Sequence, residues 1–282
     1  MHFFRQMLTL CHNWYRMMRY LVFPIQGHCY LIIGASKGIG KALALKLAQQ
    51  GKSVVLVARN TQLLNELKLE IETTYGTSVF VYTFDVTNTD KVNNLFTDVN
   101  RLAGPIDSIV INAALYDQYS AASTTAFQQD LKILNTNLIG PIALITAFVH
   151  YANTFTIANP HIIVVTSLSS IITEPQKAAY CCSKIGLSHY LECCSMELER
   201  QGFYFTNIRP GLTDTEMAAS ADKSLDFLKV SPKFCASECW TAIKYRQRLR
   251  YSPNWLYYPL AHWIWPFLPF KTALMSRLIP LK

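Results

Sequence analysis

The chain is 282 residues long, 51% hydrophobic and 16% charged, enough for one domain with a large buried core. Its net charge of +8 is concentrated at the ends: residues 1–27 carry three arginines and no acid, and residues 239–282 carry seven bases and no acid. That placement argues against a basic nucleic-acid groove on the folded body and for two basic, aromatic ends that meet a membrane surface.

The first 27 residues combine Phe3, Phe4, Trp14, Tyr15 and Tyr20 with Arg5, Arg16 and Arg19, the composition of an interfacial arm. Their longest apolar run, 20–25, is too short for a secretory signal, and translation from Met17 or Met18 is the alternative reading. A strand is expected at 29–33, then the turn Ile33-Gly34-Ala35-Ser36-Lys37-Gly38-Ile39-Gly40, then a helix through Ala42, Leu43, Leu45, Leu47 and Ala48 that ends at Gly51. Strand, glycine-rich turn, helix is the arrangement in which backbone comes close to a pyrophosphate and unpaired helix N–H groups meet it. Further strands are expected at 54–57, 79–84, 109–112, 162–166 and 205–208, and helices at 63–74, 91–102, 127–151 and 178–200. Gly51, Gly76, Gly104 and Gly202 stand where helices should stop. The alternation predicts an α/β fold, a doubly wound and mostly parallel sheet covered on both faces.

On the 178–200 helix, Tyr180 and Lys184 are four residues apart and share a face, with Ser167 thirteen residues upstream of the tyrosine. A tyrosine near pKa 10 is a poor base at neutral pH, and a neighbouring ammonium favours its phenolate. Tyrosine, lysine and a serine hydroxyl therefore suit proton transfer to or from an oxygen. Taken with the glycine turn, these residues resemble the short-chain dehydrogenase/reductase family over about residues 29–242. Phe84-Asp85-Val86 resembles that family's adenine-contacting Asp-Val, and Ile111-Asn112-Ala113-Ala114 its turn after the fourth strand. Asn137 matches the catalytic asparagine, and Pro210-Gly211-Leu212-Thr213-Asp214-Thr215 the turn that approaches the nicotinamide. Ile33, Ile111 and Ala114 depart from the family pattern at scaffold positions, while all four catalytic residue types are present.

The resemblance implies a Rossmann fold and carbonyl–alcohol interconversion by hydride transfer. Tyr180 would be the general acid/base, Lys184 would lower its pKa and bind the nicotinamide ribose, Ser167 would polarise the substrate carbonyl, and Asn137 would hold a relay water. Cofactor contacts are expected from Gly34, Ser36, Lys37, Gly38, Ile39, Gly40, Arg59, Asp85, Val86, Asn112, Ala113, Tyr180, Lys184, Pro210, Gly211, Thr213 and Thr215. The second strand ends Val57-Ala58-Arg59, without the acid that binds the ribose hydroxyls in NAD-preferring members. Arg59 and Lys37 would face a 2′-phosphate, which favours NADP(H). No metal is needed. A homodimer or homotetramer, through the helices at 127–151 and 178–200, is a family expectation.

Substrate contacts are expected from the loop at 212–230, with apolar Leu212, Met217, Leu225, Phe227 and Leu228, and point to a small hydrophobic carbonyl or alcohol such as a lipid-like ketone or aldehyde. Residues 28–245 form the expected catalytic domain, and 246–282 a basic, aromatic tail. Residues 251–270 lack Asp, Glu, Lys and Arg, but Pro253, Pro259, Pro266 and Pro269 oppose a spanning helix. Trp255, Tyr257, Tyr258, Trp263 and Trp265 suit a bilayer interface, so peripheral membrane contact of a cytoplasmic protein is the first reading, and a tail folded over the substrate cleft the second. The eight cysteines lack metal-ligand spacing and read as reduced packing residues, as His161 and His189 read as structural. A nucleotide-binding scaffold or redox sensor docked on a membrane is the alternative from another class; the intact Ser167, Tyr180, Lys184 and Asn137 argue against it.

Overall fold

In the computed structural model, which describes residues 28–218 and 223–267, the expected first strand is present as β1 (Cys29–Ile33). It is followed by α1 (Gly38–Gln49), β2 (Ser53–Ala58), α2 (Thr61–Tyr75), β3 (Val79–Thr83), α3 (Val92–Ala103) and β4 (Ser108–Ile111). Then come α4 (Ala126–Leu134), α5 (Gly140–Thr154), β5 (His161–Val165), α6 (Ala178–Leu198), β6 (Tyr204–Pro210), α7 (Pro232–Lys244), β7 (Leu249–Ser252) and α8 (Asn254–Pro259). The seven strands lie in the order β3-β2-β1-β4-β5-β6-β7, each pair parallel.

The strands are apolar almost throughout because both faces of the sheet are covered. Successive residues of β1 alternate between the two cores. Cys29, Leu31 and Ile33 join the core built with Phe96 of α3, Phe148 of α5 and Leu191 of α6. Tyr30 and Ile32 join the one built with Leu43 and Leu47 of α1, Leu64 of α2 and Cys235 of α7. The Asn60 side chain caps α2 by accepting from Leu63 N–H at 3.0 Å, and Ser231 caps α7 by accepting from Phe234 N–H at 3.1 Å, with Pro232 in its first turn. All four glycines expected to stop helices have positive φ.

Two expectations are corrected. The helix expected over 127–151 is interrupted by a π turn, Asn135–Ile139, between α4 and α5. A Cβ on Gly140 would come within 2.4 Å of the Val86 carbonyl oxygen, so the helix restarts at the residue that permits that approach. The boundary expected after residue 245 falls inside the fold, because β7 pairs in parallel with β6 and completes the sheet. Arg246, Arg248 and Arg250, read as tail charge, are structural. Arg246 lies over the Tyr204 ring at 4.0 Å and donates to the Asn159 carbonyl, Arg248 pairs with Glu199 at 2.7 Å, and Arg250 pairs with Glu238 at 2.6 Å. The N-terminal arm, Leu225's side chain and the sequence from 268 onward lie outside the described residues.

Seven cysteines among the described residues are free thiols, four of them buried, consistent with packing roles. His161 is buried and hydrogen-bonded to Thr206 at 2.8 Å, and no group of metal-ligating side chains occurs among the described residues.

Candidate active site

Strand order reverses direction between β1 and β4, and the crevice outside the carboxyl ends of strands at such a point is where α/β sheets bind ligands. A cleft of about 1640 Å³ opens there, larger than the ~1,000 Å³ upper range for a single drug-sized ligand and roomy enough for a dinucleotide with a second molecule beside it.

Its floor is the glycine turn. Gly34 has φ +88°, and a Cβ there would lie 2.6 Å from the Ala113 nitrogen. A Cβ on Gly40 would lie 2.0 Å from the Gly34 carbonyl oxygen, so a side chain at either position would push the turn out of this shape. The Asn112 side-chain amide donates to that carbonyl at 2.9 Å and locks the turn to the end of β4. Ser36, Lys37, Gly38 and Ile39 line the cleft, whereas Gly40 supports the turn from beneath. Arg59, Asp85, Val86, Asn112 and Ala113 line the same side, and Pro210, Gly211, Thr213 and Thr215 the opposite one. The Thr215 methyl would lie 3.2 Å from a Cβ on Gly38, so the loop after β6 sits over the glycine turn. These bare backbone N–H groups and close glycines fit a pyrophosphate dinucleotide.

Both expected phosphate-facing bases are on the rim. Lys37 pairs with Glu216 at 2.7 Å and Arg59 with Asp85 at 3.7 Å, and the two cations are 55% and 77% exposed. Such exposed pairs hold their partners weakly. Burial pushes the Asp85 carboxyl up, but the Thr87 N–H and hydroxyl, with Arg59, outweigh it and hold its pKa below the ordinary value.

The reacting groups meet beside this floor. Ser167 follows β5, and Tyr180 and Lys184 lie on α6; all three line the cleft. The Lys184 ammonium donates to the Val165 carbonyl at 3.3 Å and sits 5.6 Å from the Tyr180 ring centroid. Burial lowers the Lys184 pKa to about 8. The expected depression of Tyr180 by Lys184 is corrected: burial raises the phenol above its ordinary value, and the Glu174 charge adds to the rise. Tyr180 is thus held as a neutral acid, ready to donate.

The side chain of Asn137, the residue expected to hold a relay water, is engaged elsewhere. Asn137 is fully buried on the π turn and does not line the cleft. Its Oδ1 accepts from Leu115 N–H at 2.7 Å, and its Nδ2 donates to the Leu115 carbonyl at 2.7 Å and the Ser183 hydroxyl at 3.3 Å. The amide clamps the chain after β4 onto α6 and has little capacity left for a water.

Sequence reasoning missed two walls. Glu174, Lys177, Tyr116 and Gln118 form a polar wall beside Tyr180, brought together from two loops with no shared motif. Tyr257, Leu260, Ile264 and Trp265 form an apolar wall from the segment after β7; the aromatic tail signalled it, through the reading in which the tail covers the cleft. Tyr257 presses on Gly211 so closely that a Cβ there would lie 2.0 Å from its ring. Of the apolar loop residues, Leu212, Met217 and Leu228 line the cleft, while Phe227 is 80% exposed.

Comparison with known proteins agrees with this geometry. The model of the short chain dehydrogenase family matches residues 28–226. An uncharacterized oxidoreductase of Staphylococcus epidermidis is 32% identical over 192 residues, covering 68% of this chain and 80% of that one. Dehydrogenase/reductase SDR family member 7B of Danio rerio is 29% identical over 202 residues, covering 70% and 64%. Among solved structures, an alcohol dehydrogenase from the archaeon Thermococcus sibiricus complexed with 5-hydroxy-NADP superposes with a TM-score of 0.70 at 24% identity, over 80% of this chain and 95% of that one. A short-chain dehydrogenase from Sphingobium yanoikuyae in complex with NADPH gives 0.72 at 21%, over 80% and 88%. With the matched residues spanning the sheet from β1 through β6 and every reacting group between them, the chain belongs to the short-chain dehydrogenase family of oxidoreductases.

Proposed function

We propose that this oxidoreductase uses NADP(H) in preference to NAD(H) and reduces a hydrophobic ketone or aldehyde to the alcohol. The observation that carries the reading is the meeting of Ser167, Tyr180 and Lys184 beside a glycine cradle in one cleft. A nicotinamide dinucleotide held by the glycine turn would supply the hydride. The protein positions the reactants and handles the proton. Ser167 donates a hydrogen bond to the carbonyl oxygen and polarises it. Tyr180, neutral at physiological pH, gives its proton to the same oxygen as negative charge develops there. Lys184, 5.6 Å from the ring centroid, is the cation nearest in sequence on the same helix face to steady the phenolate that remains. Asn137 acts at one remove, by clamping Leu115 against α6.

The preference for NADP(H) is supported by Ala58 at the end of β2, where no carboxylate is offered to the ribose, and by Lys37 and Arg59 on the rim. Their acidic partners are weak, exposed competitors for a 2′-phosphate. Structural neighbours carry both nucleotides, since one is a 3-oxoacyl-[acyl-carrier protein] reductase from Brucella melitensis in complex with NAD. A hydrophobic substrate is supported by the apolar wall of Leu212, Met217, Leu260 and Trp265. Peripheral membrane contact is supported by Trp255 and Trp263, 73% and 61% exposed on the outer side of that wall. Self-association is supported by exposed Phe127, Leu131 and Ile139 on the α4–α5 stretch and Ile185 and Met196 on α6. The deciding experiment follows NADPH oxidation by the full chain across lipid ketones, long-chain aldehydes, sugars and acyl thioesters, with Tyr180→Phe as control. Turnover confined to sugars, or equal in the variant, refutes the reading.

A further inference from the structure

Glu174 and Lys177 stand on the wall beside Tyr180, yet neither belongs to the motifs that carry the family resemblance. Their ammonium–carboxylate contact is 2.5 Å, with side chains only 12% and 20% exposed for the lysine and the glutamate. Three residues bring them into contact. Gln176, between them, has φ +61°, in the left-handed region that a residue with a Cβ seldom occupies. It is pinned there from the loop after β4: Tyr119 N–H donates to the Gln176 carbonyl at 3.1 Å, and the Gln118 amide donates to the Gln176 side chain at 3.2 Å. A backbone outlier held in place on an active-site wall is an observation from which a role can be argued.

The free carboxylate oxygen points along a chain of hydroxyls. The Ser169 hydroxyl donates to Glu174 Oε1 at 2.7 Å. Ser169 and Ser167 hydroxyls are 3.2 Å apart, and Ser169 N–H donates to Ser167 Oγ at 3.1 Å. A carboxylate only accepts, and a serine has one hydrogen. With that hydrogen given to Glu174, Ser169 Oγ can face Ser167 only as an acceptor, so the Ser167 hydrogen turns to Ser169. One charge therefore orders two hydroxyls, the second of them on a residue that lines the cleft with Tyr180.

We propose that Glu174, held by Lys177, is a positioning residue that acts through Ser169 to set the orientation of the Ser167 hydroxyl. This rests on the carbonyl-reduction reading above. The Ser167 oxygen is already held by Ser169 N–H, so a carbonyl oxygen that enters the cleft takes the Ser167 hydrogen from one fixed starting position. The charges and titratable groups facing Glu174 are Lys177 just before α6, Tyr180 and Cys181 of α6, and Tyr116 of the loop after β4. Among these, Tyr180 feels the Glu174 charge as an upward push on its phenol, and loss of the charge removes that push.

The test is steady-state reduction of a panel of alkyl and aryl ketones and long-chain aldehydes with NADPH, by full-length wild type, Glu174→Gln, Ser169→Ala and the double variant, from neutral to alkaline pH. Glutamine keeps the shape but can donate as well as accept, so the order is lost. The expected result is a fall in kcat of about tenfold for each single variant, the scale of a hydrogen bond to a charged group. KM and NADPH affinity stay within about twofold, and the double variant shows no further loss, because both residues act on one chain. The alkaline limb of the rate profile, where Tyr180 loses its proton, moves to lower pH in Glu174→Gln and stays in place in Ser169→Ala. Unchanged kcat in either single variant, multiplying losses in the double, or a fixed limb in Glu174→Gln overturns the proposal while leaving carbonyl reduction intact. Should Glu174→Gln fail to bind NADPH, Ser169→Ala alone decides, since it leaves the ion pair whole. A wild type that turns over no member of the panel refutes the reduction reading and this proposal with it.

Discussion

Gly211→Ala tests whether the segment after β7 is built onto the cofactor loop. The added Cβ would fall 2.0 Å from Tyr257 Cε2, 2.3 Å from Cζ and 2.5 Å from the hydroxyl oxygen. Carbon atoms rest at about 3.5–4.0 Å, so the ring must retreat by roughly 1.5 Å or the Pro210-Gly211 turn must give way. Neither moves cheaply. Tyr257 is 3% exposed, and Gly211 N–H is bonded to the Ser252 carbonyl at 3.0 Å. Overpacking of this kind costs about 1–3 kcal/mol, which in a chain of this size lowers Tm by roughly 2–4 °C per kcal/mol. Thermal unfolding of wild type, Gly211→Ala, Tyr257→Ala and the double variant isolates the contact. Tyr257→Ala alone leaves a cavity and costs about 3–5 kcal/mol, by analogy with other aromatic truncations. In that background the alanine at 211 has room, so its own cost should fall close to zero. If Gly211→Ala is harmless in the wild type, or equally costly with and without the ring, the contact does not hold the segment down and the argument fails.

Tyr180→Phe should keep NADPH binding while turnover falls by about 10²-fold or more, checked by cofactor fluorescence and NADPH oxidation. Ala58→Asp with Arg59→Leu should reverse the nucleotide preference, by repelling a 2′-phosphate and offering the ribose an acceptor; parallel NADPH and NADH titrations of both proteins decide it. Burial holds Lys184 at about 8 against an ordinary 10.5, so between those values the unfolded chain binds more protons and this group's contribution to stability rises with pH. Lys184→Met should therefore be more stable than wild type at neutral pH, on the order of 2–3 kcal/mol, with the gap closing across that window in denaturant titrations. Trp255→Ser with Trp263→Ser should leave folding intact, because both rings are largely exposed, yet abolish flotation with anionic liposomes; a wild type that never floats removes the membrane reading.

The parts of the fold that could be read in advance are those whose cause is local. Cys29–Ile33 and Val54–Val57 are apolar runs because both faces of the sheet are covered, and Gly34 and Gly40 are required because backbone passes within a Cβ of each. β7 was hidden because its sequence, Leu249-Arg250-Tyr251-Ser252, alternates charge with apolar surface and reads as basic tail. The acids that neutralise its surroundings, Glu199 beside Arg248 and Glu238 beside Arg250, lie 49 and 12 residues away. The role of Asn137 was hidden for a related reason: residue type showed a conspicuous amide, but only the π turn shows that it is spent on Leu115.

The same logic separates chemistry from specificity in this molecule. On the proposed reading the reaction is carried by the glycine turn, Ser167, Tyr180 and Lys184, and all of these lie within residues 28–226, the stretch matched by the family model. The apolar wall opposite Tyr180 comes from Tyr257, Leu260, Ile264 and Trp265, all beyond that stretch. It is fixed by contacts that no motif encodes. Tyr251, wholly buried, takes a hydrogen bond from Arg209 at 3.0 Å and lies 3.1 Å from His262 Nε2, and Tyr257 rests on Gly211. On that reading a relative sharing the matched stretch would share the reaction without sharing the shape of this wall. Exchanging residues 254–265 between this chain and a family member of known substrate should carry KM discrimination with the exchanged segment and leave the dependence on Tyr180 where it was.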